Sequence, residues 1–415
     1  MLRRAACQAV ASRLCGTAVA VSVASSSAAF RENRRTGLLI GNPKQGMVGP
    51  IRVSWTDIAG SDTIPGARLA AGRVLGMLDL CAARTSQKAL DHQTCLTHER
   101  YLTCTVGVTN TMFSSPILHG DAVRLDGRLV HCGSSSMGIY IRFYRQSPST
   151  RTETPAGESF FTMVAITPDL KAAKVVPAME LTDPFDIELH HRYTKILQIQ
   201  AENAKSTAER LKRILTTEEA QCSINEQKPI HVRINSTKVE ANRIFFTSCM
   251  NNNNTVFGGE LMAWMEQHAV HCGRMFTGNR HVFTIGMHSV AFPEPVFATD
   301  WVTLEATVIY VRNTTMEVDV VLKAERKDTS TVITNRASFL LINNDDIGRK
   351  CSIPIGLVLN GATQEELQRF MEARVRNRCS VAHRDAFYGA NSRTGTTNLQ
   401  VDKKGEGKRV GKREE

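Results

Sequence analysis

Two carboxylates stand out by their surroundings. Asp79 lies in "AGRVLGMLDLCAA" (71–83) and Glu266 in "GGELMAWMEQHAV" (258–270), stretches that are otherwise mostly apolar at helical spacing. Each acid follows a glycine by seven residues, Gly72 before Asp79 and Gly259 before Glu266. A lone helical acid is ordinarily solvated. Two at one repeat position on apolar helices ask for a chemical partner. The second stretch offers one, because "NNNN" (251–254) runs into Phe257-Gly258-Gly259. A Gly-Gly step at a helix N-terminus presents free backbone N–H groups at the positive end of the macrodipole. Without a Cβ, the backbone can come close to a ligand. With the Asn251 amide as a further donor, this set suits polarising a carbonyl oxygen. A part-buried carboxylate with a raised pKa suits a base or a nucleophile beside it. The blander alternatives are a flexible polar loop and glycines that serve only close packing.

The elements that must position these residues come in two copies. Shifted by 179 residues, 113–160 and 292–339 share ten identities in 48 positions, among them Phe113/Phe292, Asp121/Asp300 and Met137/Met316. Roughly three are expected by chance. The two acid-bearing stretches align at 187 instead, so the first copy carries eight more residues before its next strand, expected near Cys95–Tyr101. Each copy reads as a strand, a helix and an antiparallel meander. The second copy places strands near 281–290, 301–311, 315–324 and 331–342, after a strand near 229–248. "GSSS" (133–136) and "RNTT" (312–315) read as hairpin turns. A sheet of this kind needs a helix across its apolar face.

Composition bounds the rest. Of the net charge of +11, residues 1–36 hold +5 and residues 401–415 hold +2, so the basic pI does not argue for nucleic acid. The N-terminus is rich in Arg, Ala and Ser with no acid before Glu32, the composition of a mitochondrial transit leader rather than a secretory signal. No apolar run approaches the roughly 20 residues of a membrane span. Eleven scattered cysteines without a Cys-x-x-Cys fit a reduced compartment. His268, His271 and Cys272 share a helix but have no second ligand cluster, so no metal is expected. Thr363 and Glu366 mark a capped helix start.

"NNNNTVFGGELMAWMEQHA" resembles the acyl-coenzyme A thioesterase pattern Asn-x-x-Gly-x-x-Phe-Gly-Gly followed by an Asp. "FPEPVFATDWVTLEATVIYVRNTTMEVDV" is similar to the strands that follow it in that family. With the repeat and the leader, the chain most resembles the mitochondrial double-hotdog acyl-coenzyme A thioesterases, over about 45–350. The resemblance implies an α+β fold of two tandem hotdog domains, each an antiparallel sheet wrapped around a central helix. The expected layout is a transit-like leader (1–36), a first hotdog (45–180), a helical linker (181–228), a second hotdog (229–350), a helical extension (351–388) and a disordered basic tail (389–415).

The resemblance also implies roles. Asn251 takes the place of the family's catalytic Asn, Asn254 replaces its usual Gly, and Cys249 stands where many members have His. Glu266 falls on the family's acid, and Asp79 falls on the same acid in the first copy. The family pairs the Asn and Gly-Gly end of one helix with the acid of the other. Counting back 187 from Asn251 lands on Ile64, so one complete centre is expected: Asn251, Gly258 and Gly259 with Asp79. Phe257 belongs to the Phe-Gly-Gly motif and is assigned to substrate binding with it. Ser136 and Thr315 would line a coenzyme A channel, or simply end turns, and Arg312 would meet a phosphate. Acyl-CoA is the implied substrate, coenzyme A being part of it rather than a cofactor. A homo-oligomer in the mitochondrial matrix is implied as well. Two alternatives stay open: an enoyl-CoA hydratase using His268 or His271, and a non-catalytic acyl-CoA-binding or structural protein.

Overall fold

The computed structural model describes residues 37–61, 63–97, 99–210 and 214–377. The expected leader and basic tail lie outside them. Both repeats fall within one compact unit that ends at Phe370.

The first repeat comprises β1 (Arg52–Ile58), α1 (Ala71–Thr97), β2 (Leu102–Phe113), β3 (Ala122–Cys132), β4 (Ser136–Gln146) and β5 (Glu153–Ile166). A helix, α2 (Pro184–Arg210), follows. The second repeat comprises β6 (Val239–Arg243), α3 (Gly258–Thr277), β7 (Val282–Ala291), β8 (Trp301–Val311), β9 (Thr315–Glu325) and β10 (Thr331–Asn343). The ten strands form one sheet in the order β6-β8-β9-β10-β7-β2-β5-β4-β3-β1. Every neighbouring pair in it is antiparallel. The order reads as the repeat and its mirror, joined at β2–β7 with Thr111 opposite Met287 and Val108 opposite Val290. The fold is thus α+β, a double hotdog.

Each central helix exists because its apolar stripe has a sheet to cover it. In α1 the stripe is Val74, Leu75, Leu78, Cys81 and Ala82, and in α3 it is Leu261, Met262, Met265, Ala269 and Cys272, all buried. The helices also cross one another closely. A Cβ on Gly72 would lie 2.7 Å from the Ala263 Cα, and one on Gly259 would lie 2.8 Å from the Gly76 Cα. Small residues at both repeat-related crossing points are what bring each acid near the other helix's N-terminus. α3 ends at Gly278, whose φ of 63° suits a glycine C-cap.

Three expectations change. The segment 229–248 is not one strand. Ile230–Arg233 leaves the main sheet to pair in parallel with Ile355–Val358, and a turn at Ile234–Thr237 separates it from β6. The extra residues of the first copy mostly lengthen the helix, to 27 residues against 20 in α3. Finally, the linker helix is not merely a surface element, because Leu189 and Tyr193 pack into a core with Val130, Tyr140 and Phe160. Both hairpin turns form, with Gly133 N–H donating to the Ser136 carbonyl (2.7 Å) and Arg312 N–H to that of Thr315 (2.8 Å). Thr363 and Glu366 cap the last helix reciprocally, at 3.2 and 2.7 Å.

Candidate active site

Each buried carboxylate lies at the N-terminal end of the other repeat's helix. Asp79, 1% exposed, accepts from the Thr105 hydroxyl on β2 at 2.6 Å and from the Gly259 N–H at the start of α3. A Cβ on Gly258 would sit 2.9 Å from its Oδ2 and 3.5 Å from the ring of Phe292. The absence of a side chain at Gly258 therefore keeps the carboxylate accessible from the helix end. Among the described residues the Gly258 N–H itself has no hydrogen-bond partner.

The asparagine loop is bonded to the strand that carries Thr105. The Asn251 Oδ1 accepts from the Asn253 N–H (2.9 Å) and from both the N–H and the hydroxyl of Thr255 (3.2 Å each). The oxygen end of the amide is thus used inside the loop, which leaves its Nδ2 donor for something outside. Asn254 adopts a φ of 56°, the left-handed conformation that explains a glycine at this place in the resembling pattern. Asn253 Nδ2 donates to the Thr103 carbonyl of β2 at 3.1 Å, two residues from Thr105. The loop of one repeat is tied to the strand that positions the acid of the other.

The Glu266 centre repeats the plan with two changes. Glu266, 3% exposed, accepts from the Thr284 hydroxyl on β7 at 2.6 Å and from the N–H groups of both Ala71 and Gly72. Its extra methylene lets it draw on both leading N–H groups of α1, where Asp79 draws on one of α3. The loop before α1 has no Asn, and Ile64, which stands in its place, is half exposed. A cavity of about 370 Å³ nevertheless opens here, lined by Glu266, Thr284, Arg68 and Arg274 among others.

Burial dominates the electrostatics of both acids. It pushes the Asp79 carboxyl up to about 6, against the lowering pull of the Thr105 hydroxyl and the Gly259 N–H. It raises Glu266 as well, against Thr284, the Gly72 N–H, the charge of Arg274 and the Ala71 N–H.

The structure thus sets Asp79 against Gly258 and Gly259, and Glu266 against Ala71 and Gly72, while the described contacts of Asn251 lie within its own loop. Phe257 is the N-cap of α3, its ring against Gly259. Ser136 and Thr315 open β4 and β9, each two strands away from Thr105 and Thr284 respectively. Arg312 lies in the β8–β9 turn. None of these three has a described contact with either carboxylate. His268 Nδ1 lies 3.0 Å from the Trp264 carbonyl of its own helix. Among the described residues no group of three or more ligating side chains could hold a metal. Thr105 and Thr284 escape the sequence reading, although the signal is there. Continuing the 179-residue offset upstream of Phe113 pairs "TVGVTNTMF" (105–113) with "TIGMHSVAF" (284–292), matching Thr with Thr and Gly107 with Gly286.

The family model described as Thioesterase superfamily matches residues 253–331, which carry the end of the asparagine loop, Gly258–Gly259 and Glu266. An uncharacterized acyl-CoA thioester hydrolase of Bacillus subtilis (strain 168) is 32% identical over 164 residues, 37% of this chain and 90% of that protein. The chain belongs to the thioesterase superfamily. Acyl-coenzyme A thioesterase 11 of Mus musculus is 24% identical to this superfamily member over 274 residues, 63% of the chain and 44% of the mouse protein. The chain therefore spans less than half the length of that relative. Among solved structures, an acyl-CoA hydrolase of Staphylococcus aureus in complex with butyryl coenzyme A and coenzyme A is 22% identical, covered over 99% of its length and 40% of this chain, with a TM-score of 0.36.

Proposed function

We propose that this chain hydrolyses acyl-CoA thioesters at the Asp79 centre, and that the Glu266 centre does not hydrolyse them. One observation carries the reading. Among the described residues, Asp79 is the buried carboxylate that lies against a leading helix N–H without a partner, that of Gly258, and the strand of its partner Thr105 is bonded to the loop that carries Asn251. The thioester carbonyl sits against the Gly258 N–H and the Asn251 amide, which stabilise the negative charge that builds on its oxygen. Asp79 removes a proton from the water that attacks the carbonyl carbon, or attacks that carbon directly to form a mixed anhydride that water then hydrolyses; in either route the C–S bond breaks and coenzyme A leaves. Thr105 holds the carboxylate in line. Membership of the superfamily and the names of the mouse and Bacillus relatives support this substrate class. The composition of residues 1–36 supports import into the mitochondrion, with the cleaved leader as its marker.

The test is release of free coenzyme A from a panel of acyl-CoAs. Asp79→Ala and Asn251→Ala should each lower kcat by about 10²–10³, while Glu266→Gln should stay within a few-fold of the parent. A loss confined to the Glu266 variant would refute the choice of centre. The binding-protein alternative keeps one observation in its favour, the N–H groups of α1 on which Glu266 draws. It prevails if the unmodified chain binds acyl-CoA and releases no coenzyme A.

A further inference from the structure

The cavity beside Glu266 holds a charge that the proposed reaction leaves unused. Arg68 lines it, half-buried, with its guanidinium 4.2 Å from the centre of the Phe283 ring. Its polar contact is one long hydrogen bond, 3.5 Å, to the Thr284 carbonyl. Among the described residues no carboxylate forms an ion pair with it, and Glu266 acts on it only through space. Desolvation lowers its pKa. A guanidinium drawn out of water without a carboxylate lacks the compensation that burial of charge normally requires.

The other walls say what would supply it. Arg274, itself solvent-exposed, also lines the cavity, so two arginines flank one acid. That acid is already turned toward the start of α1, held by the Thr284 hydroxyl and the Ala71 and Gly72 N–H groups. The wall therefore attracts an anion. Much of the remaining wall is apolar, including Val74, Ile117, Val270 and Phe113, and about 370 Å³ is the scale of a small-molecule site. In the other centre the position equivalent to Arg68 is Thr255. A thioester presents a neutral carbonyl, whereas the acid released from it presents a carboxylate, which a guanidinium matches with two parallel N–H···O bonds.

We propose that the Glu266 cavity is a non-hydrolysing site for a free acyl carboxylate, with Arg68 pairing the head group and the apolar wall taking the chain. It depends on the proposed hydrolysis only in making that ligand the reaction's product. Binding itself stands independently. The site then reports product concentration from within the same fold that generates it.

Calorimetric titration with decanoate tests this on the full chain carrying Asp79→Asn, which silences the proposed hydrolytic centre and leaves the cavity intact. This variant and the unmodified chain should bind decanoate alike. Arg68→Ala should weaken binding about tenfold or more, and Arg68→Lys less. Decanol, the same chain without the carboxylate, should bind the unmodified protein about tenfold more weakly than decanoate, a comparison that needs no variant to fold. Equal binding of decanoate and decanol, or equal binding by the Arg68→Ala chain, overturns the proposal. So does loss of decanoate binding in Asp79→Asn alone, which would move the ligand to the other centre. Tight coenzyme A binding that requires Arg68, with no decanoate binding, would replace the carboxylate by a phosphate. Absence of thioester hydrolysis would leave the decanoate result untouched, so the two readings fail separately.

Discussion

Asp79 carries a conflict between burial and charge, and the conflict has two measurable sides. In its proposed role as base or nucleophile it must be ionised, and burial holds its pKa at about 6. kcat/KM for coenzyme A release should therefore rise with pH through about 6 and level off above it. The second side is stability. The folded pKa lies above the ordinary value of 3.8, so the neutral acid is better tolerated in the fold. Its stabilising contribution is complete below about 3.8 and is lost as the pH rises through about 6. At pH 8 the ionised side chain therefore opposes folding by about 3 kcal/mol. Asp79→Asn should abolish turnover and raise Tm by a few degrees at pH 8, with a smaller gain at pH 5. An equal gain at both values would assign the effect to packing rather than to charge.

At the scale of elements, α2 shows how a polar-looking helix acquires a place. Its Leu189 and Tyr193 cover Tyr140 and Phe160 on the face of the first repeat's strands away from α1, and the seam includes His131. That ring stacks on His190 at 5.4 Å and meets Tyr193 at 5.3 Å, with its Nδ1 buried and without a hydrogen bond. Burial, and then the neighbouring His190, bring its pKa down to about 4. A depressed folded pKa contributes stability above about 6.5 that is lost as the pH falls toward 4, amounting to about 3 kcal/mol. Thermal unfolding should show Tm falling more steeply between pH 6.5 and 4 in the parent than in His131→Phe. Parallel curves would remove His131 from the seam's energetics. The elements themselves are largely legible in the sequence, because burying one face imprints period two on the strands and 3.6 on α1 and α3. The facing of Asp79 and the Gly258–Gly259 helix end is legible through the resemblance, and the visible repeat says which acid belongs to which helix end. The docking of α2 is not, because a helix that covers an outer sheet face carries few apolar residues among many charges. Arg68 is equally silent: a lone arginine in "TIPGARLAAG" looks like surface until packing against Phe283 draws it toward the cavity. The run at 229–248 misleads because β-branched residues on both sides of Ile234–Thr237 suit either of two sheets.

At the scale of the whole molecule, neither repeat contains a complete centre. Asp79 and Thr105 belong to the first, and Asn251, Gly258 and Gly259 to the second. The continuous sheet across β2–β7 and the crossing of α1 with α3 bring Asp79 to Gly258 and Gly259 within one chain, as the proposed centre requires. Duplication in a single chain frees the two centres from identity. One keeps the asparagine loop and an acid short enough to leave the Gly258 N–H open. The other has Arg68, and an acid long enough to draw on both leading N–H groups of α1. That arrangement makes a genetic prediction. Chains carrying Asp79→Asn and chains carrying Asn251→Ala each lack half of the same intramolecular centre. Coexpressed and purified together through two different tags, they should release coenzyme A no faster than the sum of the two separate variants. If instead a centre were assembled between neighbouring copies, pairing the intact Asp79 of one chain with the intact Asn251 of another, mixed oligomers would recover a substantial fraction of parent activity. Recovery would overturn the single-chain centre while leaving the roles of the residues intact, so the experiment isolates the architecture from the chemistry.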